Sequence, residues 1–298
     1  MRKLAFNWNV KEKPEDFIVK EVADFEFLPD GNFYLYLLIK RNLNTRDVAA
    51  RYNLSYAGLK DKNALTFQYV TADKFLGETV LEKLSEGTFY GLIYLGRVRK
   101  KLKIGNLKGN KFSIKLKGNS LKKQDWFINY YDIQRISRNR ERGKALLKKL
   151  NNTGSWKKLR WLENFYIDAY LSHLWNKSLM AYIRGRFPGH YLVEKNLKYF
   201  IPETDLNTLM DSFPRFWPLL GYRVEIKDYE EAVYDEVLKK EGFSLGEVVE
   251  KLSDLKIKGD YRKTFLKAED VSIKSGRIEF FLPKGAYATM YLKHIYAG

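Results

Sequence analysis

Cysteine is absent from all 298 residues, and histidine occurs only at His173, His190 and His294. Without cysteine there are no disulfides, thiolate zinc sites, iron–sulfur clusters or cysteine nucleophiles, and the composition fits an intracellular setting. The three histidines form neither an HExxH motif nor a close pair, so a protein-bound catalytic metal is not expected. Long apolar runs are missing too. The longest, residues 33–39, is far short of the roughly 20 residues that span a membrane as a helix. The first residues are basic but lack the apolar core of a signal peptide, so the expectation is a cytoplasmic protein with no membrane partner. Neither GxxxxGK[ST] nor GxGxxG occurs, and Gly105 and Gly109 have the wrong spacing for either. That disfavours a kinase, a P-loop ATPase or a Rossmann methyltransferase, and a zinc deaminase lacks its ligands. Cofactor-free acid, base or nucleophilic chemistry remains.

Acidic residues are also in short supply. Asp plus Glu number 36 against 54 Lys plus Arg, giving a formal charge of +18. Such an excess points to a polyanionic partner. With 45% hydrophobic and 15% aromatic residues, the chain has ample material for a folded core. The imbalance is concentrated. Residues 97–123 hold eleven Lys or Arg and no acid. Within them Phe112, Ile114 and Leu116 alternate with Ser113, Lys115 and Lys117, the pattern of a strand with one buried and one cationic face. Nucleic acid is the partner such a strand suits. Residues 135–160 form a second basic stretch.

Residues 17–21 and 33–39 read as strands, and the turn residues 29–32 between them suggest a hairpin. Thr45 is placed as the N-cap of a helix reaching Leu54, and a second helix is expected over 73–85. Residues 55–64 read as a loop between ordered elements, a favoured place for chemistry. Apolar residues Leu162, Phe165, Tyr166, Ala169 and Tyr170 recur at helical spacing and predict a helix to about Arg184. A proline-rich segment, 187–220, precedes two acid-rich helices at 229–240 and 245–252. Strand-like sequence returns at 271–273 and 278–282 around a Ser275–Gly276 turn. The pattern is that of an α+β protein in which an α-rich insertion interrupts a β-rich domain.

Asp61 lies in the loop between Lys60 and Lys62. By itself an aspartate in a glycine-containing loop is a common turn former, but neighbouring cations favour the ionised carboxylate that a nucleophile or base requires. Asn110 and Phe112 read equally as turn and core residues, or as an amide and an aromatic suited to a hydrogen-bonded, stacked base.

Five segments in order, 13–21 (KPEDFIVKE), 44–46 (NTR), 56–68 (YAGLKDKNALTFQ), 101–112 (KLKIGNLKGNKF) and 281–289 (FLPKGAYAT), together resemble the motifs of the TruD family of tRNA pseudouridine synthases, in an archaeal-like form. The resemblance runs from near residue 11 to near residue 295 and is weakest in the middle. It implies an isomerase that breaks the N1–C1′ bond of one uridine in an RNA, turns the base and rejoins it through C5. No cofactor or metal is implied. Asp61 falls on the family's catalytic aspartate, whose role as nucleophile or base is left open, and Lys11 on the lysine that pairs with it. Phe17, Asn110 and Tyr287 match substrate-contacting positions, and Phe112 matches the aromatic that stacks on the flipped base. Glu21 and Gln68 also lie in motifs, as candidates to touch the substrate or the catalytic loop. One block departs: the family's NYFGxQRFG appears at 129–137 as NYYDIQRIS, with both glycines replaced.

The expectation is therefore a pseudouridine synthase fold, a mixed, mainly antiparallel sheet flanked by helices. Its discontinuous catalytic domain comprises residues 1–135 and 255–298, and an inserted TRUD-type domain spans 136–254. RNA, specifically tRNA, is the expected partner, bound between the two parts, with uridine 13 the target and the protein a monomer. The alternative is a non-catalytic RNA-binding or tRNA-folding protein that retains the pocket.

Overall fold

The computed structural model describes residues 2–118, 120–150 and 159–296, so Lys157 and Lys158 of the second basic stretch lie outside the described residues. The chain divides into two compact units. One comprises Trp8–Ser120 and Lys267–Ala288; the other comprises Met1–Asn7, Leu121–Leu266 and Thr289–Gly298.

The first unit is built on a sheet whose strands follow the order Glu269–Lys274, Arg277–Pro283, Gly109–Lys115, Phe17–Val22, Leu65–Ala72, Phe33–Arg41, Thr88–Val98 and Thr79–Ser85. The two-residue strand Ser55–Tyr56 pairs with Leu65–Ala72. Phe17–Val22 runs parallel to Leu65–Ala72, and the remaining neighbours along this path are antiparallel. The sheet is thus mixed and mainly antiparallel. Alternation along Gly109–Lys115 buries Phe112 and Ile114 and exposes Lys111 and Lys115, as the period of two demands. Helix Thr45–Tyr52 lays Val48 and Ala49 on Tyr36, Leu38, Val70 and Leu92 of the sheet. Each large apolar side chain buried there contributes roughly 1.5–3 kcal/mol.

Two expectations about strand pairing and helix content are overturned. Residues 17–22 and 33–41 are strands but not a hairpin, because Leu65–Ala72 enters between them and pairs with both. The intervening chain instead packs toward Thr88–Val98, where Leu28 N–H donates to the Arg97 carbonyl at 3.0 Å. Residues 79–85 are an edge strand rather than a helix. The spacing of Leu81 and Leu84 imitates a helical face, yet both are exposed. Gly87, at φ +71°, lets the chain reverse so that Ser85 pairs with Thr88.

In the second unit the 24-residue helix Trp161–Arg184 buries Ile167, Tyr170, Leu174, Trp175 and Leu179, in line with the helical spacing. Trp175 Nε1 donates to the Trp217 carbonyl at 3.1 Å, and Trp217 Nε1 donates to Ser178 Oγ at 2.8 Å. Asp228–Glu241 and Leu245–Asp254 form the two acid-rich helices. In the altered block, Ser137 stands where the family has glycine and takes φ +23°, a conformation that costs a β-carbon strain. Asp132, at the other replaced glycine, caps the short helix Ile133–Ile136 and forms a buried ion pair with Lys293.

Candidate active site

The loop between Ser55–Tyr56 and Leu65–Ala72 carries Asp61, and its shape is set by side chains from four directions. Thr45, the first residue of its helix rather than its cap, donates through Oγ1 to Gln68 Oε1 at 3.0 Å and accepts from the Lys60 N–H at 3.3 Å. Gln68 Nε2 in turn donates to the Gly58 carbonyl at 3.4 Å. Lys60 forms an ion pair with Glu21, whose second oxygen accepts from the Tyr69 N–H at 2.9 Å. Lys40 Nζ donates to the Asp61 carbonyl at 2.8 Å. Glu21 and Gln68 therefore hold the loop.

The Asp61 carboxylate accepts from the Asn63 N–H at 3.0 Å through Oδ1, and its Oδ2 forms an ion pair with Lys11. These two side chains retain 20% and 14% exposure respectively, enough for a ligand to approach. An ammonium and a backbone N–H on separate oxygens favour the charged carboxylate and fix its direction. Lys11 Nζ also lies 4.4 Å from the centre of the Phe17 ring. Phe17 meets Phe112 edge-on with centroids 6.0 Å apart, and Phe112 stacks on Phe280 at 5.4 Å.

Asn110 lies on the same strand face as Phe112, in register with Glu21 on one side and Leu282 on the other. Its Oδ1 is buried without a hydrogen-bond partner among the described residues. Such an acceptor costs free energy until something donates to it. Tyr287 is half-buried in the segment joining Arg277–Pro283 to helix Ala288–Ile295. Contacts thus link Lys11, Asp61, Phe17 and Phe112, while Asn110 joins them through its strand and Tyr287 stands beyond the neighbouring strand's end.

An open groove lies along residues 99–108, with Phe25, Phe33, Leu102 and Leu107 among its apolar lining. Arg99, Lys100, Lys101, Lys103 and Lys108 are exposed along it. The Gly105 N–H donates to the Ala57 carbonyl at 2.8 Å, tying the basic segment to the start of the Asp61 loop. No metal-binding cluster of His, Asp or Glu occurs among the described residues. Among them, no helix is long and apolar enough to cross a membrane.

Residue types alone left Lys40 and Thr45 without a role in this site. The available signal for Lys40 was a charge at the position where alternation from Tyr36 and Leu38 calls for an apolar side chain.

The sheet order and its flanking helices define the pseudouridine synthase fold. The crystal structure of a tRNA pseudouridine synthase D (TruD) homologue from Methanosarcina mazei superimposes with a TM-score of 0.60 at 22% identity, over 96% of this chain and 93% of that one. The model of the family tRNA pseudouridine synthase D (TruD) matches residues 5–150 and 133–295, and the chain belongs to this family of isomerases. It is 26% identical to the Aquifex aeolicus tRNA pseudouridine synthase D, over 96% of this chain and 97% of the relative. Identity to the tRNA pseudouridine synthase D of Sulfurimonas denitrificans is 27%, over 98% and 96%. An archaeal relative, the Nanoarchaeum equitans protein assigned to the same activity, is 26% identical over 96% and 98%.

Proposed function

We propose that this protein converts one uridine of tRNA, at position 13, to pseudouridine, using the Asp61 carboxylate and no cofactor. The N1–C1′ bond breaks, the uracil turns, and C5 bonds to C1′; C5 loses its proton and N1 gains one, so substrate and product have the same composition. Neither an oxidant nor an energy source enters that balance. Asp61 acts on the sugar or base as nucleophile, or removes a proton, and Lys11 keeps its charge in place.

The observation that carries this reading is the Asp61–Lys11 ion pair, held in a braced loop beside Phe17 and Phe112. A base must leave its stack to be reached, at a cost of a few kcal/mol. Packing on aromatic rings returns roughly 1–3 kcal/mol of that. The unpaired Asn110 Oδ1 offers an acceptor for a uracil N–H. The cationic groove supplies contacts to the adjoining phosphates.

The test is incubation with unmodified total tRNA, without cofactor, followed by mapping of pseudouridine through carbodiimide-dependent reverse-transcription stops. The expected result is one new stop at position 13 that Asp61→Ala abolishes while tRNA affinity stays within a few-fold. Tight, salt-sensitive binding with no stop on any tRNA would favour the binding-only alternative.

A further inference from the structure

Beneath the Asp61 loop the buried face of the sheet changes character. Along Phe33–Arg41 the side chains facing helix Thr45–Tyr52 are Tyr36 and Leu38, and the next on that face is Lys40. Along the adjoining strand Val70 and Ala72 give way to Gln68 and then Thr66, which is in register with Lys40. Lys40, Thr66 and Gln68 each have no exposed surface. An apolar layer thus ends in a polar one under the residues that carry Asp61.

Lys40 is unusual within that layer. Its ammonium donates to the Asp61 carbonyl, a neutral group, at 2.8 Å, whereas Lys11 pairs with the carboxylate of the same residue and Lys60 with Glu21. Burial lowers the Lys40 pKa to about 8; the Asp61 charge opposes that shift and the Lys60 charge adds to it. A buried ammonium bound to a carbonyl is a poor way to gain stability, since its desolvation is only partly returned. Residues kept at such a cost are found where geometry matters more than stability.

We propose that Lys40 is a positioning residue for the isomerase reaction, its sealed ammonium pinning the Asp61 backbone so that the carboxylate stays directed at Lys11 and the reacting nucleotide. The inference rests on Asp61 being the reacting group. The Lys40 hydrogen bond goes to the Asp61 carbonyl, so it acts through the main chain to which the carboxylate is attached. A loop free to shift by a fraction of an ångström would still bind tRNA through the groove and the aromatic rings, but would present the carboxylate poorly.

Lys40→Met, which keeps the length of the side chain and removes the charge, tests this directly. The measurements are single-turnover pseudouridine formation, the tRNA dissociation constant and the melting temperature, for wild type, Lys40→Met and Lys40→Gln. The expected result for Lys40→Met is a rate lowered about 100-fold, tRNA affinity within three-fold of wild type and an unchanged or higher melting temperature. Lys40→Gln, which keeps a donor, should fall between the two in rate. A Lys40→Met rate within three-fold of wild type overturns the proposal. So does a loss of rate that follows equal losses of affinity and melting temperature, the mark of a structural role. Should Lys40→Met not fold, the same criteria are applied to Lys40→Gln. Failure of the underlying reading shows separately, as wild-type protein that makes no pseudouridine.

Discussion

Glu21 and Lys60 form an ion pair whose side chains are only 1% and 8% exposed, and Lys60 immediately precedes Asp61. Removing one partner of a buried pair strands the other charge and costs about 3–5 kcal/mol. Glu21→Gln should therefore lower the melting temperature by roughly 10 °C, read by calorimetry. Adding Lys60→Met should recover most of that loss. A single variant that melts with the wild type would show that the pair contributes no stability.

Lys11 is expected to matter for rate rather than for folding. Its pair with Asp61 is partly exposed, and Lys11→Met leaves the carboxylate with the Asn63 N–H. A single-turnover assay should show a rate loss of about 100- to 1000-fold, the range typical of removing one preorganised electrostatic interaction at a reacting group. The melting temperature should move by no more than a few degrees. Near-normal turnover would remove Lys11 from the site.

The basic groove predicts a salt effect. Lys100, Lys101 and Lys103 are exposed along it and are distinct from the Asp61 cluster. Replacing all three with alanine should reduce the slope of log affinity for tRNA against log salt by about 2, because each single-strand phosphate left without its cation takes roughly 0.7 from the slope. Filter binding across a salt series measures it. An unchanged slope would place the RNA backbone elsewhere.

In the second unit, Glu241 supplies an acid-range signature. Burial alone would raise its pKa, but hydrogen bonds from Lys144 and Lys177 outweigh that and bring it down to about 2 from 4.5. A carboxylate with a lowered folded-state pKa contributes stability that is complete above 4.5 and is lost as pH falls from there through about 2. Wild-type stability should accordingly decline across that window. Glu241→Gln should start less stable at pH 7 and decline less, as followed by urea unfolding at each pH.

Much of the local structure was legible because it rests on short-range patterns. The spacing of Leu162, Phe165, Tyr166 and Ala169 predicts a helix, and the structure has one over Trp161–Arg184. The Ser275–Gly276 turn between two apolar runs predicts the hairpin formed by Glu269–Lys274 and Arg277–Pro283. Where two patterns competed, as at Leu81 and Leu84, spacing misled, because an edge strand with exposed leucines imitates one face of a helix. The bracing of the site was legible only in part. Glu21 and Gln68 could be singled out by motif, but whether they faced a ligand or the loop depended on Tyr69 and Thr45, 48 and 23 residues away along the chain.

By itself the sequence determined the chemistry available: no thiol, no nucleotide loop, a large positive charge, and an aspartate set among lysines. It also determined several individual elements, among them Phe17–Val22, Phe33–Arg41, Gly109–Lys115, Trp161–Arg184 and Asp228–Glu241, since backbone period and turn chemistry act over a few residues. Only the tertiary structure decided that Leu65–Ala72 separates Phe17–Val22 from Phe33–Arg41, and that the chain divides near residues 120 and 266 into compact units. It likewise decided that Lys40 ends at the Asp61 carbonyl while Lys11 reaches the carboxylate of the same residue. Strand order and the meeting of distant charges depend on which surfaces can be buried together, a property of the whole chain that no local spacing contains.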